Sequence, residues 1–467
     1  MNLYLLLILF GGLISFVMPS YSYADSLRDI YLEALSKDAK LKIAEATYKA
    51  DQENEIQAHA QLLPQIGVVA DYGRHRSDKT AQSISGISPA FKLIQGQVET
   101  RTNTTDRNWT VTLSQKIIDV PAWFYFRSNK LLSEQAKAQF SSDQQDLIMR
   151  TATAYFSVLR AIENLHTSTA RELADKQQRD QSEQKLDVGL VAITDAQEAR
   201  AIYDASIATR VEDEGNLAIA YEILNAITGS VHTDLWPLSS NFPVSDPEPN
   251  DSAAWVQFAL KNNSALQAKR FAAAAAQLNA AAKSYENVPK VNATFSYEKD
   301  HIEGSQSSQP LSLFSVPPNT DSVAQSATVQ VSIPIYSGGY INSVQHQANE
   351  QFHTAEAQNV DKVRSTIQEA RAQFIAASLD VRQIKARAQF IVSAKSAFEV
   401  ATEGYKVGTH NIVDLSQLEQ SYYAAQRDYA NSRYDYVLDT LRLKQQAGIL
   451  NPQDIYDLNR WLIAPAT

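Results

Sequence analysis

The chain states one helix-strand-loop-strand-helix unit twice, and this duplication limits the possible folds more than any single motif does. Ala34 to Tyr72 aligns without a gap on Ala259 to Tyr297, pairing Leu35 with Leu260, Leu41 with Leu266, Pro64 with Pro289 and Tyr72 with Tyr297. At a slightly different offset, Gly189, Ile193, Asp195, Tyr203, Leu224 and Gly229 fall on Gly408, Ile412, Asp414, Tyr422, Leu443 and Gly448. A period of about 220 residues is far too long for a solenoid and reads as one large unit copied once.

Most of each copy has a helical pattern. Ala122 to Val188 and Tyr340 to Val407 are rich in Ala, Gln, Glu, Lys and Leu with little internal Gly or Pro. Each, as one helix, would be on the order of 100 Å long at ~1.5 Å per residue, more than a compact domain needs. Such helices alone would suggest an antiparallel coiled-coil bundle.

Four short segments break the pattern with two-residue periodicity. Val291, Ala293, Phe295 and Tyr297 alternate with Asn292, Thr294, Ser296 and Glu298, and Val329, Val331, Ile333 and Ile335 with Thr328, Gln330, Ser332 and Pro334. In the first copy Ile66, Val68, Ala70 and Tyr72 alternate with Gly67, Val69, Asp71 and Gly73. There too Trp109, Val111, Leu113 and Ile117 alternate with Thr110, Thr112, Ser114 and Lys116. The pattern predicts strands at about 64–73, 109–118, 289–298 and 327–337, each with an apolar and a more polar side. The Ser/Thr/Asn/Gln-rich stretches Arg74 to Asn108 and Lys299 to Ala327 read as long loops joining each pair.

No segment after the N-terminus offers 18 consecutive apolar residues, so entry into a membrane would require a β-barrel. Soluble hairpins packed on helices are the alternative. Four strands cannot close a barrel, because the smallest membrane barrels need about eight. A barrel would therefore be shared between at least two chains, a number the pattern leaves open.

The first 24 residues carry no charge and hold an apolar run from Leu3 to Ile14, followed by Ser22, Tyr23 and Ala24. They read as a signal peptide cut before Asp25, which makes the mature chain an exported one. The rest divides into a first repeat (25–235), a connector from Trp236 to Asn250 with four prolines, a second repeat (251–448) and a tail (449–467). The absence of cysteine removes disulfides, thiolate metal sites and an acylated N-terminal cysteine. A net charge of −10 argues against nucleic acid as a partner.

No P-loop, nucleophile elbow or HExxH pattern is present, and no enzyme activity or cofactor is expected. His346 and His353 share one side of a predicted helix, but without a third ligand a polar helix surface explains them better than a metal. Glu212, Asp213 and Glu214 read as a solvated helix face.

Several motifs carry a closer likeness. Lys185-Leu186-Asp187-Val188-Gly189-Leu190-Val191-Ala192-Ile193-Thr194-Asp195, its second-copy partner Tyr405 to Leu415, Ile333 to Gly339 and Thr151 to Phe156 together resemble signatures of the TolC-like outer-membrane efflux proteins. The resemblance spans about Asp25 to Asn459. It implies a mainly α fold with a membrane β-barrel. Long antiparallel helices would form an α-helical tunnel, and four strands per protomer would share a twelve-stranded trimeric barrel. The implied function is a passive exit duct in the outer membrane, extending into the periplasm. The implied partners are outer-membrane lipid, a periplasmic adaptor (membrane fusion) protein and an inner-membrane transporter of RND, ABC or MFS type. Cargo is drugs or, in type I secretion, proteins.

Gly189 and Gly408 interrupt the helical pattern as C-terminal glycines do, and Thr194, Asp195 and Asp414 then open the following helices, where carboxylates suit the helix dipole. By resemblance these turns are the periplasmic gate. Tyr405 would bond Asp195, and His410 would stand where the family has an Arg facing Thr194 and Asp195. Arg is always charged, whereas His titrates near neutrality, so the gate would be weaker or pH-sensitive. Asp414 would form a ring of like charge in the lumen that draws cations. Gln417, at a position that is often a second aspartate, would make that selectivity milder. A structural or adhesive outer-membrane protein with partner-binding loops is the other class these features allow.

Overall fold

A computed structural model describes residues 24–309 and 316–464. The expected signal peptide lies outside the described residues except for Ala24.

The duplication recurs element by element. Helices α1 (Leu27–Lys37) and α2 (Ala39–Ala60) are matched by α5 (Ser252–Asn262) and α6 (Ser264–Ser284). Strands β1 (Gln65–Ile87) and β2 (Leu93–Ile118) are matched by β3 (Lys290–Gln309) and β4 (Thr320–Ser332). Long helices α3 (Val120–Asp187) and α7 (Tyr340–Lys406), of 68 and 67 residues, are each followed by a partner, α4 (Ile193–Thr228) or α8 (Ile412–Gln446). A ninth helix, α9 (Pro452–Asn459), has no counterpart and stands within the expected tail. Asn451 and Asp454 cap it reciprocally.

Two compact units cut across the repeats. One gathers the residues up to Ile43, Asp143–Asn263 and those from Ile367 onward; the other gathers Ala44–Ser142 and Ser264–Thr366.

The first unit is a helix assembly around a largely apolar core. Tyr155 and Phe156 are fully buried with Leu27, Ile30, Leu147, Leu224, Leu443 and Ile455. Phe156 meets Tyr434 with ring centroids 5.8 Å apart, and Tyr155 Oη donates to the Trp236 carbonyl at 2.7 Å. Helix α1 starts because Ser26 caps it and stops at Asp38, whose ψ of 121° leaves the helical region. Arg150 grips the buried Asp38 with two bonds of 2.9 and 3.0 Å. Burial raises the Asp38 carboxyl, but the Arg150 fork and the Leu41 amide outweigh it and hold the group below its ordinary range. The connector is laid onto this unit by a parallel bridge between Asp25 and Leu235 and an antiparallel one between Leu238 and Leu462. Tyr436 adds bonds to the Ser245 backbone.

In the second unit Tyr48 stacks on Phe140 and Phe124 on Tyr285. Its sheet has the order β1-β2-β3-β4, antiparallel throughout. Register fixes the two faces, since directly paired residues share a side. Ile66, Leu113, Phe295 and Ala327 form one row across the sheet, and Val68, Val111, Tyr297 and Gln325 the next row on that side. Gly67, Thr112, Ser296 and Ser326 form the opposite row. On β2 and β3 the side that carries Thr110, Thr112, Ser296 and Glu298 is the less exposed one. Strands β1 and β4 are edges, and β4 is exposed along its whole length.

Two expectations are corrected. Arg74 to Asn108 is not a loop, because β1 and β2 stay paired, with one bulge between Ile84 and Gly86, to Ile87 and Leu93, leaving a short turn at 88–92. Likewise β3 runs on to Gln309, and β4 begins at Thr320. Polar residues on both faces hid these extensions, which cross-strand pairs such as Arg101 with Asp78, 2.8 Å apart, support. The fourth strand also ends at Ser332, short of the expected 337, just before Pro334, which has no N–H for a ladder.

Candidate functional site

The two Val-Gly turns both belong to the first unit. At the end of α3, Gly189 has φ +72° and its amide bonds the Leu186 carbonyl, while Leu190 N bonds the Lys185 carbonyl at 2.8 Å. At the end of α7, Gly408 has φ +80°, and Thr409 N bonds the Gly404 carbonyl at 2.8 Å. Both are helix stops that a left-handed glycine permits.

The restarts differ. Helix α8 is capped by Asn411, which accepts from Asp414 N at 2.8 Å. Helix α4 has Ala192 at its N-cap and no side-chain cap, although Asp195 stands in its first turn. Thr194 Oγ1 donates to its neighbour Asp195, at 3.4 Å. Val188, Leu190 and Val407 are exposed at the two turns, apolar side chains left without cover.

Within one chain, the expected gate residues meet other partners. Tyr405 Oη is buried with no hydrogen-bond partner among the described residues, so the bond expected to Asp195 is not formed here. Instead Lys185 Nζ lies 4.6 Å from the centre of the Tyr405 ring. His410 does not face Thr194 and Asp195. Its ring folds over Gly404, leaving no room for a Cβ there, and Nδ1 lies 3.8 Å from Asp414 Oδ2. The missing side chain at Gly404 is what lets the imidazole turn back onto its own helix. Asp414 and Gln417 are exposed at the start of α8.

Behind the turns lies a buried acid cluster that the sequence reading missed. Asp175 of α3 and Glu419 of α8 are only 3% and 5% exposed. Arg171 Nε stands 3.4 Å from Asp175 Oδ2. Burial, then the Asp175 charge, push the Glu419 carboxyl up to about 7, against the pull of Arg171. Burial likewise raises Asp175, against Arg171 and Ser206. On α7, burial and the charges of Asp439 and Asp435 push Asp380 up to about 7. No group of three or more His, Cys, Asp or Glu among the described residues is arranged to hold a metal.

A family model described as outer membrane efflux protein matches residues 30–230 and 255–448. The chain is 32% identical over 449 residues to outer membrane protein TolC of Escherichia coli, covering 96% of this chain and 87% of that protein. It is 24% identical over 449 residues to alkaline protease secretion protein AprF of Pseudomonas aeruginosa, covering 96% and 89%. Its fold matches that of the Campylobacter jejuni CmeC outer membrane channel with a TM-score of 0.72 at 15% identity, covering 99% and 98%.

Proposed function

Because the chain belongs to the outer membrane efflux protein family, we propose that it is an outer-membrane exit duct. It would passively conduct drugs or proteins delivered by an inner-membrane transporter through a periplasmic adaptor. The observation that carries this reading is the sheet. It has apolar rows on one side and polar rows on the other over the half holding Ile66, Val68, Phe295 and Tyr297, and two unpaired edge strands, β1 and β4, which run antiparallel to one another. When β4 of one chain pairs with β1 of the next, the alternation of strand directions continues, and a cyclic set of chains closes a wall with lipid outside and water inside. Three chains give the twelve strands that the family resemblance implies.

The turns ending α3 and α7 are the proposed gate, with Thr194, Asp195, Tyr405 and His410 as its residues and Gly189 and Gly408 making its bends. Asp414 is the proposed cation-selective ring, which Gln417 leaves milder. Exposed Val188, Leu190 and Val407 suit contact with an adaptor. His410 would act first on Asp414, 3.8 Å from its ring, and tighten the turn.

The test is made in Gram-negative cells that lack their own exit duct. Production of this protein together with its cognate pump and adaptor should restore efflux of a fluorescent dye or release of a secreted protein. If neither returns with the protein folded in the outer membrane, and cell-surface binding is lost on trimming the β1–β2 hairpin, the protein is an adhesin instead.

A further inference from the structure

We propose that Arg74, Arg107 and Lys299 bind the phosphate groups of the lipid that forms the outer surface of the membrane. The sheet then carries a headgroup site beyond its lipid-facing rows. This inference rests on the barrel reading above.

The register carries it. The apolar side of the sheet runs along β4 from Val331 to Val323, with Gln325 as its polar member, and along β2 from Leu113 to Trp109. That stretch of β4 is about 27 Å of strand at ~3.4 Å per residue, enough when tilted to fill most of an apolar band of about 25 Å. On the same side, the row of Ala70, Trp109, Lys299 and Val323 is followed by Tyr72, Arg107, His301 and Asp321, and then by Arg74, Thr105 and Glu303. Helices α2 and α3 join the strands at the opposite end. With the helices in the periplasm, the basic rows meet the headgroups of the outer leaflet.

Lys299, Arg107 and Arg74 lie on one diagonal across β3, β2 and β1, with neighbours about 7–8 Å apart. Like charges this close disfavour the sheet unless anions lie among them. The chain supplies only part of that compensation. Glu303 is 3.9 Å from Arg107 and is shared with His301 at 3.1 Å, which Asp321 also meets. Arg76 and Arg101, further along, already share Asp78 at 3.4 and 2.8 Å. Tyr72 Oη accepts from Arg74 Nε at 3.2 Å and so ties the guanidinium to the aromatic edge of the apolar rows.

The opposite side of the sheet has the opposite sign. Its three interleaved rows carry Glu298, Asp71, Asp300 and Asp106 and no Lys or Arg. The chain's net charge of −10 hides this local separation. A neighbouring chain joins at the edges β1 and β4, which leaves the faces of the inner strands β2 and β3 open to lipid. Long basic side chains just beyond an apolar band lay their stems over hydrocarbon and present N–H donors to phosphate.

The test titrates the purified full-length oligomer, in non-ionic detergent, with fluorescent diphosphoryl lipid A and with the same lipid stripped of both phosphates, read by polarisation. Wild type is compared with the triple variant Arg74→Gln, Arg107→Gln, Lys299→Gln. A charge-keeping triple variant, Arg74→Lys, Arg107→Lys, Lys299→Arg, and Lys79→Gln, a basic residue on the opposite side of the sheet, serve as controls. Each is first shown to elute as an intact oligomer. A basic residue at an anionic lipid surface is worth about fivefold, so the neutral triple variant should bind the diphosphoryl lipid on the order of 100-fold more weakly. Both controls should bind like wild type, and the stripped lipid should bind wild type no better than the diphosphoryl lipid binds the neutral triple variant. Equal binding by wild type and the neutral triple variant, or equal binding of the two lipids to wild type, overturns the proposal. Displacement of the lipid by millimolar inorganic phosphate also overturns it, because the site then serves a soluble anion. Conductance of the same preparations separates the two readings. Normal current without a preference for phosphate sinks this inference alone, and a phosphate preference without current in wild type sinks the duct alone.

Discussion

Replacing Glu419 by Gln should stabilise the helices behind the turns at alkaline pH and leave them nearly unchanged in acid. In the folded chain the Glu419 carboxyl is pushed up to about 7 by burial and by Asp175. In the unfolded chain it would titrate at about 4.3. A group raised in this way gives its full stabilising contribution below the unfolded value and loses it as the pH rises through about 7. A difference of between two and three units corresponds to about 3 kcal/mol per protomer at high pH. Glutamine imitates the neutral acid at every pH, so the variant escapes that penalty.

Hydrogen exchange of the α8 amides around Glu419 reads the effect, because it reports the free energy of local opening. Measured at the same pH for both proteins, exchange in Glu419→Gln should be slower by on the order of several hundred-fold at pH 8.5 and nearly equal at pH 4. Asp175 shares the site and is also raised, so the titration belongs to the pair. A ratio between the proteins that is the same at both pH values would refute the reasoning. It would mean that water reaches Glu419 and that its charge is tolerated.

Other outcomes follow from single contacts. Arg150→Ala strands the buried Asp38 carboxylate and should lower stability by about 3 kcal/mol in urea titrations at pH 7, an effect that shrinks as Asp38 is protonated in acid. Gly408→Ala places a side chain at φ +80°, which costs about 1 kcal/mol, and should raise the basal open fraction in bilayer recordings. Asp414→Asn should lower cation-over-anion selectivity in reversal-potential measurements without altering the Asn411 cap, which engages only the Asp414 backbone amide.

The elements that could be read from the sequence were those whose local chemistry decides their structure. Gly189 and Gly408 announced helix stops, and both take the left-handed conformation. The apolar rows of Ile66, Val68, Phe295 and Tyr297 announced strands, because one face must alternate. The halves of the hairpins beyond Arg74 and Lys299 carry polar residues on both faces. Only the register across the sheet, with Arg101 on Asp78 and Thr100 beside Ser308, explains why they remain strands.

Side-chain partners between helices were still harder to read. The stretch around Glu419 is evidently helical, but which of its faces meets Asp175 depends on how α8 packs against α3. The same holds for Lys185. It lies inside a recognisable motif, yet its seat on Tyr405 depends on two helix ends that are more than two hundred residues apart in the chain. Unit boundaries were likewise hidden, since each compact unit takes matching pieces from both repeats.

The central claim is that this protein forms a continuous, closable water path. Its most direct test is the conductance of the detergent-purified wild-type protein inserted in a planar bilayer. The account predicts discrete, small, cation-preferring steps from a mostly closed channel. A protein that is folded and inserted but passes no current, including after Asp195→Ala, would contradict it.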